Sequence, residues 1–295
     1  MSERPNNPPI VVGLGEVLWD MLPAGKQLGG APANFAYHAQ QLGARAAIVS
    51  AVGKDALGDE LLAQLRSVGL DTSHIAVLED RPTGTVSVTL DAAGVPSYVI
   101  HENVAWDFIP SPGSFAPLAY EADAICFGSI AQRSPVSRKT IGEYLSSAVM
   151  GNLCVFDINL RQQYYNVGII RGSLLHANVL KINDQEIHTL GGLLEMPPDE
   201  NVIIATLLEH TRLKLIAVTR GDKGSSLFTP HALSHHPGYM TKIVDTVGAG
   251  DAFTAALVIG VLRGDPLDKI NADANRLASF VCSQAGAMPS YSGFR

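Results

Sequence analysis

The sequence predicts an α/β protein: a doubly wound, mostly parallel sheet flanked by helices, with a small β-sheet lid beside it. Three observations carry that expectation. Short apolar runs bounded by turn residues recur along the 295 residues, as strands buried on both faces require. Stretches with helical spacing of apolar residues lie between them, which is the alternation that parallel sheets need for their crossovers. One region, residues 75–101, breaks the alternation with three strand-like runs and no helix between them.

The first run, Ile10-Val11-Val12-Gly13-Leu14-Gly15, reads as a buried strand, and Glu16-Val17-Leu18-Trp19-Asp20 continues extended. Further core strands are expected at 46–52, 124–127, 154–158, 179–182 and 215–219, with helices at 33–42, 59–68, 136–149, 185–190 and 201–210. The C-terminal part reads as two helices, 252–263 and 268–285, parted by Gly264-Asp265-Pro266, a stop followed by a restart. In the irregular region, 75–78, 85–90 and 97–101 predict an antiparallel flap, with period-2 patterning in Val86, Val88 and Leu90. Such a flap can cover a substrate and exclude water, or serve as an oligomerisation sheet. One α/β domain over 1–295 is expected, its lid drawn from about 15–30 and 75–106.

Composition narrows the function. Hydrophobic residues at 46% and charged residues at 17% fit a packed globule rather than a disordered chain. A net charge of −7 without any Lys/Arg run argues against a nucleic-acid or anionic-membrane partner. No apolar stretch approaches the roughly 20 residues that span a bilayer, and Met1 to Pro9 lacks a signal-peptide core. A cytoplasmic protein with a frayed N-terminus is expected. Cys126, Cys154 and Cys282 are odd in number and set in apolar segments, so they read as reduced core thiols.

The most informative segment is Asp245-Thr246-Val247-Gly248-Ala249-Gly250-Asp251, which runs into the apolar stretch from Ala252 to Leu262. It sets small residues at the mouth of a helix and a carboxylate in its first turn. Backbone N–H groups there lack intrahelical partners and can close on a phosphate or a developing anion. The acid can deprotonate a hydroxyl. Cradle and base together suit phosphoryl transfer to an alcohol, which is mostly positioning and charge stabilisation. Taken alone, a Gly-rich turn capped by Asp remains a structural alternative.

Other polar residues fall where open α/β sheets bind ligands, beyond strand C-terminal ends. Asp20 can accept hydrogen bonds from paired hydroxyls. Gly29-Gly30-Ala31-Pro32-Ala33-Asn34 offers a hinge, close ligand approach and an amide, although a helix cap explains it equally. Asp157-Ile158-Asn159-Leu160-Arg161 ends a buried strand, and its Arg suits an oxyanion or a salt bridge. Two nucleotide motifs are absent: Gly13-x-Gly15 lacks its third Gly, and neither Gly25-Lys26 nor Gly53-Lys54 completes a P-loop. His231, His235 and His236 lie in a polar loop without acidic or Cys companions and do not read as a metal site.

The heptad, the glycine pair with Asn34 and the 157–161 element resemble the signatures of the ribokinase family, also called the PfkB carbohydrate kinases. The resemblance runs from Gly15 to Ser290 with motifs in order. Segment 15–23, the short bridge to Gly29-Gly30 and 157–161 look most like bacterial fructokinases. The short bridge also implies a small lid on that side, with most of the cover coming from 75–101. The resemblance implies a ribokinase-like fold and transfer of the ATP γ-phosphoryl group to the primary hydroxyl of a sugar, fructose first, with ribose, 2-keto-3-deoxygluconate or a nucleoside as alternative acceptors and a non-catalytic sugar sensor as the alternative outside the enzymes. Asp251 would be the base. Gly248, Ala249 and Gly250 would form the anion hole, and Arg161 would offset phosphate charge. The sugar would meet Asp20, Gly29, Gly30, Asn34, Asp157 and Asp251, with Asn103 or Trp106 from His101–Asp107 adding selectivity. The nucleotide would lie along Asn183, Thr219, Gly221, Gly224, Gly248, Gly250 and Asn275. Asn183 and Glu186 match an NxxE element tied to Mg²⁺ through water, in keeping with the oxygen ligands and retained waters of that ion. Asp245, Val247, Gly286 and Ser290 match positions around a possible K⁺. A homodimer through the lid is expected.

Overall fold

A computed structural model describes residues 7–22, 25–90, 96–111, 113, 116–149 and 151–294. The N-terminal residues 1–6 and Pro23, on which expectations were placed, lie outside the described residues, as do the side chains of Val88 and Leu90.

The first half alternates β1 (Ile10–Leu14), β2 (Leu18–Leu22), β3 (Gly25–Gly29), α1 (Ala31–Gln41), β4 (Arg45–Gly53), α2 (Ala56–Ser67), β5 (Ile75–Leu78), β6 (Thr85–Leu90) and β7 (Pro96–Ile100). It continues with α3 (Ala116–Glu121), β8 (Ala124–Phe127), α4 (Pro135–Ser146), β9 (Leu153–Asp157), α5 (Val167–His176), β10 (Val179–Asn183) and α6 (Asp184–Leu193). The last part holds α7 (Glu200–His210), β11 (Leu215–Thr219), β12 (Ser225–Phe228), β13 (Leu233–His236), α8 (Ala249–Arg263) and α9 (Leu267–Cys282).

A nine-stranded sheet runs β13-β12-β11-β10-β9-β8-β1-β4-β5. Its strands are parallel from β11 through β5, and β12 and β13 add an antiparallel edge. The chain builds outward from β1 in one direction through β4 and β5, then in the other from β8. That reversal between β1 and β8 opens a crevice at the strand C-terminal ends. Alternate side chains feed two cores. Val11, Cys126, Val155 and Ala217 face α1, α2, α8 and α9, whereas Val12, Ile125, Phe156 and Ile216 face α4 to α7. Cys126, Cys154 and Cys282 are all free thiols.

The lid differs from the sequence expectation in one strand. Ile75–Leu78 pairs in parallel with β4 at the edge of the main sheet, from Ser50↔Ile75 to Gly53↔Leu78. The physical reason is its connection: α2 carries the chain back along β4, so the next strand completes a βαβ unit. The lid sheet is instead four-stranded, in the order β3-β2-β6-β7. The β2–β3 and β6–β7 hairpins are antiparallel, while β2 and β6 pair in parallel, so the lid is mixed rather than antiparallel. Residues 18–29 thus contribute as many strands as 85–100, more than the short bridge led us to expect. His235 and His236 also lie on β13 rather than in a loop.

Two polar devices hold the parts that flank the site. Asp55 caps α2 by accepting from Gly58 N–H at 2.8 Å, and also accepts from the N–H and hydroxyl of Thr83, the residue that leads into the lid. Burial pushes this carboxyl up, but the bonds from Thr83 and Gly58 outweigh it and hold it below the usual range. At the other end of the site, α1 is latched to the C-terminal loop. His38 contacts the Tyr291 hydroxyl at 2.8 Å and the Ala287 carbonyl at 2.9 Å, and the Tyr37 hydroxyl donates to Pro289 O at 2.7 Å.

Asp55→Ala removes the cap and leaves the N–H and hydroxyl proton of Thr83 without their acceptor, so it should cost about 1–3 kcal/mol in denaturant-midpoint measurements. His38 is fully buried, and burial lowers its pKa from 6.5 to about 4. The folded-state value lies below the unfolded one, so the unfolded chain takes up the extra proton as pH falls from 6.5 towards 4. The stability held by neutral His38 is full above pH 6.5 and drains across that window. The stability gap between the native chain and His38→Gln should therefore narrow by up to about 3 kcal/mol between pH 7 and pH 4.

Candidate active site

Polar residues gather at the C-terminal ends of the parallel strands because each apolar run stops there. Glu16 follows β1, Asp157 closes β9, Asn183 closes β10 and Thr219 closes β11. The N-terminus of α8 enters the same space. Gly248, with φ 78°, precedes its first turn, and Ala287 packs where a Cβ would sit. Asp251 follows in that turn.

Asp251 joins the two ends of the chain. Its Oδ2 accepts from Asn34 Nδ2 at 2.7 Å. Burial and then the Asp157 charge push its carboxyl up to about 6, against the Asn34 bond and the charges of Lys181 and Arg161. Ala249 N–H donates to Thr246 O at 3.3 Å, whereas the following N–H groups of the first turn have no helical partner. Gly250 stands against Lys181: a Cβ there would lie 3.1 Å from the ammonium nitrogen.

Asp157 is buried at 4% exposure, so it supports the floor rather than reaching out to a sugar. Its Oδ1 accepts from Lys181 Nζ at 3.1 Å, and its Oδ2 from the Thr254 hydroxyl at 2.9 Å. Burial works against the Lys181 charge, but the carboxylates of Asp157, Glu186 and Asp251 outweigh it and push its pKa up. Arg161 is exposed on the loop after β9. That loop touches the lid, where Gln162 Nε2 donates to Tyr98 O at 2.7 Å and the Tyr164 hydroxyl donates to Glu102 at 2.9 Å.

On the lid side, burial pushes Asp20 up to about 6, and Gly29 gives its carboxylate room, since a Cβ there would collide with Oδ2. Gly30 caps α1 at φ 109°. Asn103 is exposed at φ 59°. Trp106 is fully buried in the core, with the Arg133 guanidinium 4.0 Å from its ring, so it offers a sugar no surface here and the sequence expectation is corrected.

Asn183 and Glu186 form a capping box. The Asn183 side chain accepts from the N–H groups of Gln185 and Glu186, and Glu186 Oε2 accepts from Asn183 N–H at 3.0 Å. Glu186 Oε1 accepts from Leu160 N–H at 2.9 Å. Each carboxylate oxygen keeps a lone pair, which fits ordering the water shell of a Mg²⁺ ion rather than ligating it directly. Among the described residues no three His, Cys, Asp or Glu form a group that could hold a metal ion.

Thr219 lies beside Ile182 O at 3.5 Å, and Gly221 and Gly224 form the tight turn that follows. Asn275 is turned inward at 6% exposure, donating to the Ser225 hydroxyl and Asn271 O, so its side chain is committed to α9 and β12 rather than to a base. Asp245 accepts from Val247 N–H at 3.0 Å and Gly286 N–H at 3.1 Å, binding the two loops together; exposed Ser290 caps the next turn.

Two residues were missed by the sequence reading. Lys181 is one. Glu16 is the other: 3% exposed, it accepts from Ala31 N–H through Oε1 and has no partner for Oε2 among the described residues. Burial pushes it up to about 7, and the Asp251 charge adds to that against backbone hydrogen bonds. A charged residue inside an otherwise apolar strand was the available signal for Lys181.

Residues 23–292 match the family model described as pfkB family carbohydrate kinase. An uncharacterised sugar kinase of Pyrococcus horikoshii is 30% identical over 94% of this chain and 91% of its own length. Fructokinase-1 of Oryza sativa subsp. japonica is 29% identical over 95% and 94% respectively. The crystal structure of the Pyrococcus horikoshii sugar kinase in complex with ATP superposes with a TM-score of 0.82 at 29% identity, covering 95% of this chain and 94% of that one. An ATP-bound Xylella fastidiosa fructokinase shares the fold at a TM-score of 0.83 and 23% identity, covering 95% of this chain and 94% of that one. A ribokinase-like sheet, a separate lid and an α8 turn that carries a carboxylate beside free N–H groups agree with the match over nearly the whole chain, which belongs to the pfkB family of carbohydrate kinases.

Proposed function

We propose that this sugar kinase transfers the γ-phosphoryl group of ATP to the primary hydroxyl of fructose, giving fructose 6-phosphate. The observation that carries the reading is the Asp251 carboxyl, raised to about 6 by burial and oriented by Asn34 in the first turn of α8. A carboxyl so placed can take the hydroxyl proton near neutral pH. The N–H groups at Gly248 and Gly250 would receive the charge that spreads over the transferring group, and Ala249, whose N–H donates to Thr246 O at 3.3 Å, would join them only by giving up that bond. Arg161 offsets phosphate charge from its exposed loop, while Asp20, Gly29, Gly30 and Asn34 orient the sugar. Asn103 borders it from the lid side. Thr219, Gly221 and Gly224 line the nucleotide. Mg²⁺, when bound with ATP, supplies charge neutralisation, and Asn183 with Glu186 would order its water. Asp245, Val247, Gly286 and Ser290 would hold K⁺. Fructose is favoured by the fructokinases among the relatives and by the resemblance of the 15–23 and 157–161 segments to those of bacterial fructokinases.

The lid would also join two copies. Met21, Tyr98 and Val99 on its strands are 37%, 54% and 49% exposed, which supports a dimer through this sheet that gel filtration would reveal. No helix among the described residues is long and apolar enough to cross a membrane.

A coupled ADP-release assay with Mg-ATP should show turnover on fructose well above ribose, glucose, mannose, 2-keto-3-deoxygluconate and adenosine, and faster in K⁺ than in Tris. A different best sugar would move the specificity, an equal rate without K⁺ would remove the cation site, and silence with intact sugar binding would indicate a sensor. Asp251→Ala should lower kcat by about 10²–10⁴-fold while ATP and sugar still bind. Because the base acts ionised, kcat should fall as pH drops through about 6. Asn34→Ala removes a bond that favours the ionised form, so the acid limb should move to higher pH; an unmoved limb would count against Asp251 as the titrating base.

A further inference from the structure

Lys181 is a costly residue for its place. It sits in the middle of the sheet, between Asp157 on β9 and Ala217 on β11, in a strand whose first four residues are all buried. Its side chain projects to the face covered by α8, where its ammonium lies beneath Gly250. That is the positive end of a helix, which repels a cation. A buried ion pair is also a poor way to gain stability, since apolar residues of similar volume serve as well or better. Neither helix stability nor sheet stability therefore accounts for a cation here. An anion arriving above the first turn does.

Resting on the phosphoryl-transfer reading of the site, we propose that Lys181 is a positioning residue for that transfer: held by Asp157, its ammonium braces the first turn of α8 from below and adds a full positive charge behind the backbone N–H groups. The geometry supplies both halves. Asp157 accepts from Lys181 with one oxygen and from Thr254 with the other, and the Thr254 hydroxyl is also 3.0 Å from Gly250 O. The same carboxylate thus fixes the height of the helix and the site of the charge. Glycine at 250 leaves the ammonium its room, since a Cβ there would stand 3.1 Å from it, closer than an ordinary contact. The groups facing Lys181 are Asp157 from β9, Glu186 from α6 and Asp251 from α8. The charge serves all three carboxylates and the incoming phosphates, which a hydrogen-bonding neutral side chain could not do.

The test compares Lys181→Gln, which keeps a hydrogen bond to Asp157 but loses the charge, with the native full-length chain. Melting temperature is read with and without ATP, and kcat and KM are read on the best sugar. We expect the ATP-induced rise in melting temperature to shrink and kcat to fall at least about tenfold, below the about 10²–10³-fold that loss of a direct oxyanion donor costs. The sugar KM should stay within about threefold. A variant with native kcat and a native ATP response would overturn the assignment and leave Lys181 as structural glue. Should Lys181→Gln fail to fold, Lys181→Met combined with Asp157→Asn, which removes both charges of the directly bonded pair, is read against Asp157→Asn alone by the same criteria. If the native chain turns over no sugar, the proposed function fails, and the ATP response alone decides the role of Lys181.

Discussion

One buried carboxylate fixes the relation between the sheet and the helix that carries the candidate base. Apolar packing holds α8 against α1, α9 and the strands, and every residue from Ala252 to Gly260 is buried. That force is large but non-directional, and an apolar cylinder can turn or slide at small cost. Asp157 supplies direction, because its two oxygens bind a strand lysine and a helix threonine with defined geometry. The position of Asp251 and of the N–H groups before it follows from that contact.

The electrostatics around this contact are crowded. Glu16, Asp20 and Asp251 all hold their protons more tightly than free carboxyls, chiefly because burial disfavours their ionised forms. Acids displaced in this way mark sites more often than structural surfaces. The counterweights are a helix N-terminus, Lys181 and Arg161. A highly charged anion entering such a mixture gains most if it brings a cation of its own, which agrees with a capping box suited to ordering water around one.

Much of this was legible in the sequence because strand ends announce themselves. Asp157, Asn183 and Thr219 each stand where an apolar run stops, and the heptad before Ala252 marks a helix mouth. What stayed hidden depends on partners distant along the chain. Ile75–Leu78 looks like its neighbours in the lid, and only its pairing with β4 assigns it to the main sheet. Lys181 interrupts a hydrophobic pattern and gives no hint that Asp157 and Gly250 meet it in space. Trp106 and Asn275 erred the other way: an aromatic and an amide near a site suggest contact, whereas local packing had already used both. The pattern of residue types records burial well and records pairing poorly.

The bond from Asn34 to Asp251 spans 217 positions, and the latch of α1 to the C-terminal loop reaches further, 253 positions from His38 to Tyr291. Strand β1 is made first, and α1 can pack early on β1 and β4, yet its other face is covered only when α8 emerges. During synthesis the apolar face of the sheet that α8 and α9 will cover must wait, exposed, for most of the chain to appear. Folds closed by such distant contacts are slow to form and vulnerable while open. Enzymatic activity in this chain is therefore also a report of completed assembly: a ribosome-stalled fragment lacking its last helices would carry Asn34 and the lid strands and still lack Asp251, the proposed base.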